Sequence, residues 1–186
     1  VASTSTGEVY VVSDDKNGSY VAWEQSMGSY SSDIFIQHVD SAGNMLWVDS
    51  LNISDDPNDS RWFGIGKDMK GGVIVVWRDL RITNSEYYAQ RIDYGGNEKW
   101  THGGILVASR GGRYPFSLDI CSDGKSGVYI SWYETVSYDS LKLFIQRVDS
   151  IGNIGWPASP VQLLDRVWVW NYDNLPGYLT EDDSGG

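Results

Sequence analysis

The chain has 186 residues, enough for one sizeable domain, and carries a net charge of −11 at pH 7. That charge argues against nucleic acid and against anionic membrane as partners. A single cysteine, Cys121, excludes an internal disulfide, and no apolar run reaches the ~18 residues of a membrane span.

Taken in order, the chain reads as short strands punctuated by Asp, Asn and Gly. A first strand covers Glu8 to Ser13, and the turn Asp15-Lys16-Asn17-Gly18 follows. A second covers Ser19 to Trp23, and the polar stretch Gln25 to Asp33 reads as a loop. A third covers Ile34 to Val39. The Asp40 to Asn44 turn then leads into a fourth strand, Met45 to Trp47. Asp, Asn and Gly suit these turns because they tolerate positive φ and bond their own backbone.

The pattern then repeats. Asp68-Met69-Lys70-Gly71-Gly72 turns into Val73–Trp77, apolar on both faces, and Tyr88 to Asp93 leads through Gly96-Asn97 to Trp100. The third copy has the turn Asp123 to Gly127 and the strand Val128 to Trp132. Phe144 to Asp149 then leads through Gly152-Asn153 to Trp156. The strand-ending Trp23, Trp77 and Trp132 are 54 and 55 residues apart; Gln37, Gln90 and Gln146 are 53 and 56 apart. Pro176 to Thr180 and the turn Asp182 to Gly186 open a fourth copy.

A strand apolar on both sides must be covered on both sides. Four-stranded antiparallel sheets at a period of roughly 40–55 residues describe β-propeller blades. The expected fold is therefore all-β: three complete repeats over about 7–56, 57–109 and 110–165, with 166–186 a linker and the first strand of a fourth blade. Closed propellers hold about four to eight blades. With Val1 not a natural initiator and no signal segment at the start, the chain is expected to come from a longer, processed one. Further blades of that parent chain, or a protein partner, are then expected to cover its apolar flanks.

The runs Gly71-Gly72, Trp77-Arg78-Asp79-Leu80-Arg81, Tyr88-Ala89-Gln90-Arg91-Ile92-Asp93 and Gly96-Asn97 to Trp100 resemble repeats of bacterial secreted β-propeller proteins. Such repeats are found in surface proteins of the Bacteroidetes exported by type IX secretion. The third copy keeps Gln146-Arg147-Val148-Asp149 but has Glu134 at the Asp position; the first has Gln25 there and His38 in place of Arg. The turn is also similar to that of quinoprotein-like propellers. The resemblance implies a propeller fold and a secreted or cell-surface location, and it implies no activity. The C-terminal sorting domain of such proteins is not in this sequence.

Turn acids Asp40, Asp93 and Asp149 read as structural. So do the repeated Gln37, Gln90 and Gln146 and the tryptophans Trp23, Trp77, Trp132, Trp47, Trp100 and Trp156. A buried Gln must be hydrogen-bonded, and an aromatic at a repeat position packs between blades. Ligand-binding candidates lie in the opposite, irregular loops. Trp168, Trp170 and Tyr172 would form a sugar-stacking strip if extended, with packing against an absent neighbour as the favoured competing reading. Arg61, Arg81 and Arg113 would clamp a carboxylate as in sialidase-like propellers, although Arg61-Trp62 and Arg113-Tyr114 hold the same repeat position, which favours a structural ion pair. Asp79 and Glu134 are the candidate carboxylates for glycoside hydrolysis, with pairing to an Arg as the competing reading. Asp55, Asp56 and Asp59 are the one Ca²⁺ candidate, against a solvated turn; no other cofactor is expected. The leading function is a non-catalytic extracellular binding or structural module, and the alternative is a glycan-binding or glycan-hydrolysing propeller.

Overall fold

The computed structural model describes residues 6–28, 31–55, 59–80, 86–109, 115–137, 140–156 and 159–168. Among these, three four-stranded antiparallel sheets form and there is no helix. The first sheet contains β1 (Thr6–Ser13), β2 (Ser19–Gly28), β3 (Ser31–Val39) and β4 (Leu51–Asn52). The second contains β5 (Ser60–Lys67), β6 (Val73–Asp79), β7 (Glu86–Ile92) and β8 (Ile105–Ser109). The third contains β9 (Pro115–Ser122), β10 (Val128–Ser137), β11 (Ser140–Val148) and β12 (Val161–Trp168). Strand order follows chain order in every sheet, so each is a plain meander.

The hairpin turns form for local reasons. Asp14 Oδ1 accepts from the backbone N–H of Lys16 and of Gly18, both at 2.7 Å. Asp68 and Asp123 do the same for Lys70 and Gly72 and for Lys125 and Gly127. Gly72 sits where a Cβ would lie 2.4 Å from the Ile92 carbonyl oxygen, so no side chain fits. Asp40, Asp93 and Asp149 hold their own loops the same way, accepting the N–H groups two and four residues on.

Two expectations are corrected. Residues Met45 to Trp47 do not form the fourth strand; Met45 makes one isolated bridge to Val39, and the outer strand starts later, at Leu51. Gln37 is the reason. Its Nε2 donates to the Trp47 carbonyl and its Oε1 accepts the Trp47 N–H, both at 3.3 Å, so a side chain takes the groups a ladder would need. Nor is Gln25 to Asp33 a loop: β2 runs to Gly28 and β3 starts at Ser31, with Gln25 paired to Asp33.

The three sheets pack face to face, the second between the others. Tyr20, Ala22, Ile34 and Ile36 of the first meet Phe63, Ile65, Val73, Val75 and Trp77 of the second. On its other side Ile74, Val76, Tyr87 and Ala89 meet Val128, Ile130, Trp132 and Phe144 of the third. Every residue of β6 is buried, as a strand covered on both faces requires. β5 and β9 approach closely because Gly64 and Gly66 lack side chains; a Cβ on Gly64 would lie 2.7 Å from Leu118.

Candidate functional site

Two groups of side chains hold the chemistry of this fold: the joins between sheets, and a set of acids at the opposite end of the strands. The joins repeat. Gln90 clamps the Trp100 N–H and the Thr101 carbonyl, and Gln146 clamps both backbone groups of Trp156. Each clamp aims the closing tryptophan forward. Trp47 lies against the Asp93 turn, with its ring 3.1 to 3.2 Å from where a Gly96 Cβ would be. Its Nε1 donates to the Tyr94 carbonyl at 3.1 Å. Trp100 meets Gly152 in the same way.

The residue after each Gln completes the join. Arg91 and Arg147 bind Asp68 and Asp123 with Nε at 2.9 Å. Asp123 is held below the usual carboxylate range: burial would raise it, but the Arg147 guanidinium and two backbone N–H groups outweigh that. Arg91 also reaches the next sheet, donating from Nη1 to the Ser150 carbonyl at 2.9 Å. His38 stands in for Arg in the first repeat. Its Nε2 lies 2.9 Å from Asp14, and its ring stacks on Tyr20 at 4.2 Å and meets Trp47 and Tyr94 edge-on. Where His38 leaves the carbonyl of the next turn to Trp47, Arg91 takes it, and the Trp100 Nε1 is buried without a partner among the described residues. Tyr20 adds a bond from its hydroxyl to the Gly71 carbonyl at 2.5 Å. Burial, ahead of nearby carboxylates, drives its pKa above the ordinary tyrosine value.

At the other end of the strands, Trp23, Trp77 and Trp132 lie inside β2, β6 and β10 rather than at their ends, and each donates its indole N–H to the residue two positions on. Trp23 donates to Gln25 at 3.2 Å, Trp77 to Asp79 at 3.2 Å and Trp132 to Glu134 at 2.8 Å. The two candidate carboxylates are thus indole acceptors, 0 % and 2 % exposed. Arg78, one residue after Trp77, lies by strand alternation on the face of the second sheet that packs on the third, and Glu134 by the same rule lies on the face of the third sheet that packs on the second. Asp79 is the cross-strand partner of Glu86, itself buried, and Tyr88 donates to Glu86 at 3.1 Å. Asp33 is the equivalent of Glu86 in the first repeat and accepts from Asn52 at 2.8 Å. Sequence reasoning passed over Asp33 and Glu86, although both stand four residues before the repeated Gln.

Among the other candidates, Arg61 donates from Nε to Asp59 at 2.7 Å, and Asp59 also accepts the Ser32 N–H at 2.9 Å. That hydrogen bond raises the Arg61 pKa further and keeps the guanidinium engaged. Asp55 is exposed, with the His102 ring 3.9 Å away. Trp168 ends β12. Arg81, Arg113, Trp170, Tyr172 and Asp56 lie outside the described residues. Among the described residues no three His, Cys, Asp or Glu side chains gather as metal ligands.

No protein-family model and no curated protein matches the sequence. Among solved structures, the chain is similar to an endo-arabinase from Bacteroides thetaiotaomicron VPI-5482, with a TM-score of 0.59 and 15% identity. The match covers 86% of this chain and 61% of that one, so the chain spans about three fifths of the length of its structural neighbour. At that identity the likeness is one of fold.

Proposed function

We propose that this chain is a segment of an extracellular β-propeller and acts as a non-catalytic binding or structural module. Four-stranded meanders packed face to face, and the fold likeness to the endo-arabinase, support the propeller part. Export to the cell surface rests on the resemblance of its repeats to those of secreted bacterial proteins. The observation that carries the non-catalytic part is the use of Asp79 and Glu134. A general acid or base must reach the proton it moves. These two are sealed from water, and each spends an oxygen on a tryptophan of the core.

A screen of the purified chain against plant and bacterial polysaccharides, arabinan included, tests this by reducing-sugar release. The expected result is no release above the blank. Release that is lost in Asp79→Asn or Glu134→Gln, with the circular dichroism spectrum unchanged, overturns the reading.

A second reading, a glycan-active propeller, is favoured by the fold likeness to an endo-arabinase. The side chains nearest to its needs are Asp79 and Glu86, carboxylates on cross-strand partners. Retaining glycosidases place their two carboxyl groups about 5–5.5 Å apart. Arabinan retained by the chain without turnover would favour a lectin; turnover lost in Glu86→Gln would favour a hydrolase.

A further inference from the structure

The joins described above have a donor side and an acceptor side, and the first sheet presents an acceptor side that nothing described fills. The donor side is the face bearing Tyr20, Ile36, His38 and Trp47, which packs on the second sheet. The acceptor side is the opposite face of the next sheet, together with the glycine of its Asp turn. In the second and third sheets Gly96 and Gly152 each carry the preceding tryptophan. In the first sheet the equivalent Gly43 has the same left-handed backbone, φ +82°, and no atom of the described residues within 4 Å of its Cβ position. Around it, cross-strand pairing puts Val9, Val11, Val21, Trp23 and Phe35 on one face. Val9 and Val11 are 54 % and 60 % exposed. Trp23 and Phe35 stack on each other at 6.0 Å, half-buried.

The third sheet carries the matching donor set. Tyr129, Ile145, Arg147 and Trp156 are the repeat equivalents of Tyr20, Ile36, His38 and Trp47, and all four are half-buried. Gln146 already holds Trp156 in the forward position that Gln37 gives Trp47. Arg147 stands where Arg91 stands, and Arg91 donates across its join to the carbonyl equivalent to that of Ser41.

We propose that the open face of the first sheet docks the third sheet of a second copy of this chain, head to tail. Trp156 of one copy seats on the Gly43 turn of the other, and Arg147 donates to the Ser41 carbonyl. The new join continues the two joins already inside the chain, with the same residue types on each side. Such an interface is heterologous, so association proceeds to a closed ring or an open row rather than stopping at a symmetric pair. The proposal is independent of whether the chain binds or cleaves a glycan.

The test is sedimentation velocity on the full chain and two variants, each checked by circular dichroism. Val9→Glu/Val11→Glu charges two exposed residues of the acceptor face; Trp156→Ala removes the plug. The wild-type chain is expected to associate as concentration rises toward about 1 mM, and each variant to weaken association at least tenfold. Mixing the two variants is the decisive arm. The first keeps a good donor face and the second a good acceptor face, so the mixture is expected to form dimers and nothing larger. A wild-type chain that stays monomeric overturns the proposal, as does a mixture that shows no dimer. Association insensitive to both variants overturns it too.

Discussion

At the scale of single residues, the structure separates glycines that only shape the backbone from those that also make room for a neighbour. Gly43 and Gly96 share a turn position and nearly the same φ, +82° and +84°. Only Gly96 lies under an indole ring. Gly43→Ala should therefore cost about 1 kcal/mol from backbone strain. Gly96→Ala should cost more, because it also lifts Trp47 off its seat. Urea denaturation of the two variants followed by circular dichroism measures the difference, and equal losses would contradict the seating of Trp47. Gln90 is the second sharp case. Gln90→Leu leaves the Trp100 N–H and the Thr101 carbonyl without their partner, at about 1–3 kcal/mol for the pair, since both groups are only part-buried. Gln90→Glu is expected to keep the acceptor half and lose the donor half, placing it between wild type and Leu. His38→Arg should restore the pattern of the other repeats and compete with Trp47 for the Tyr94 carbonyl. The Trp47 indole N–H signal in an NMR spectrum should shift toward the unbonded range.

At the scale of elements, the turns explain how acid acts on the fold. Asp14, Asp93, Asp123 and Asp149 are buried to differing degrees, which by itself raises a carboxyl pKa, but hydrogen bonds to backbone N–H and to His, Asn, Lys or Arg side chains bring each below the ordinary value. In Asp40 the Asn44 side chain is the main cause of the lowering. A carboxyl whose folded pKa is depressed adds stability above its unfolded value, and that stability fades as pH falls through the folded one. The unfolded value is about 3.9. Denaturation midpoints should therefore hold steady from neutral pH down to that region and then drop, and Asp123→Asn should flatten the drop. These turns were legible in the sequence because Asp-x-x-Gly-Asn carries its own geometry; the residues that bond are neighbours in the chain. The outer strand was not legible. Met45-Leu46-Trp47 has strand composition, yet Gln37, ten residues before Trp47, takes the backbone groups of Trp47. A side chain competing with a ladder from that distance leaves no local trace. The same limit applied to the acids. Asp79 and Glu134 stood out as repeat equivalents after a Trp, and alternation already puts each on the face of that Trp, but the side-chain rotamer that turns the indole N–H to the carboxylate is not written in the spacing. Glu86 became visible only once β6 and β7 were in register.

At the scale of the whole molecule, stability rests on two joins that share one sheet. β6 contributes Val75 and Trp77 to one interface and Ile74 and Val76 to the other. Trp77→Ala should cost ~3–5 kcal/mol, since it removes a fully buried ring and its bond to Asp79. Because the second sheet is packed on both sides, that loss should lower the midpoint of a single cooperative transition. Two separate transitions would instead mean that the sheets unfold one by one, as in loosely coupled repeat arrays.

The forward reach of each closing tryptophan also bears on how such a chain can change its length. Trp47 and Trp100 rest on turns of the same sequence type and the same backbone shape, so removing residues 57–109 would bring Trp47 to the turn at Gly152 with little local misfit. Duplication of that stretch would likewise rejoin surfaces that already match. Gain or loss of a complete module is thus far gentler than insertion of one residue between Gln90 and Trp100, where the clamp would miss its target and every later contact with it.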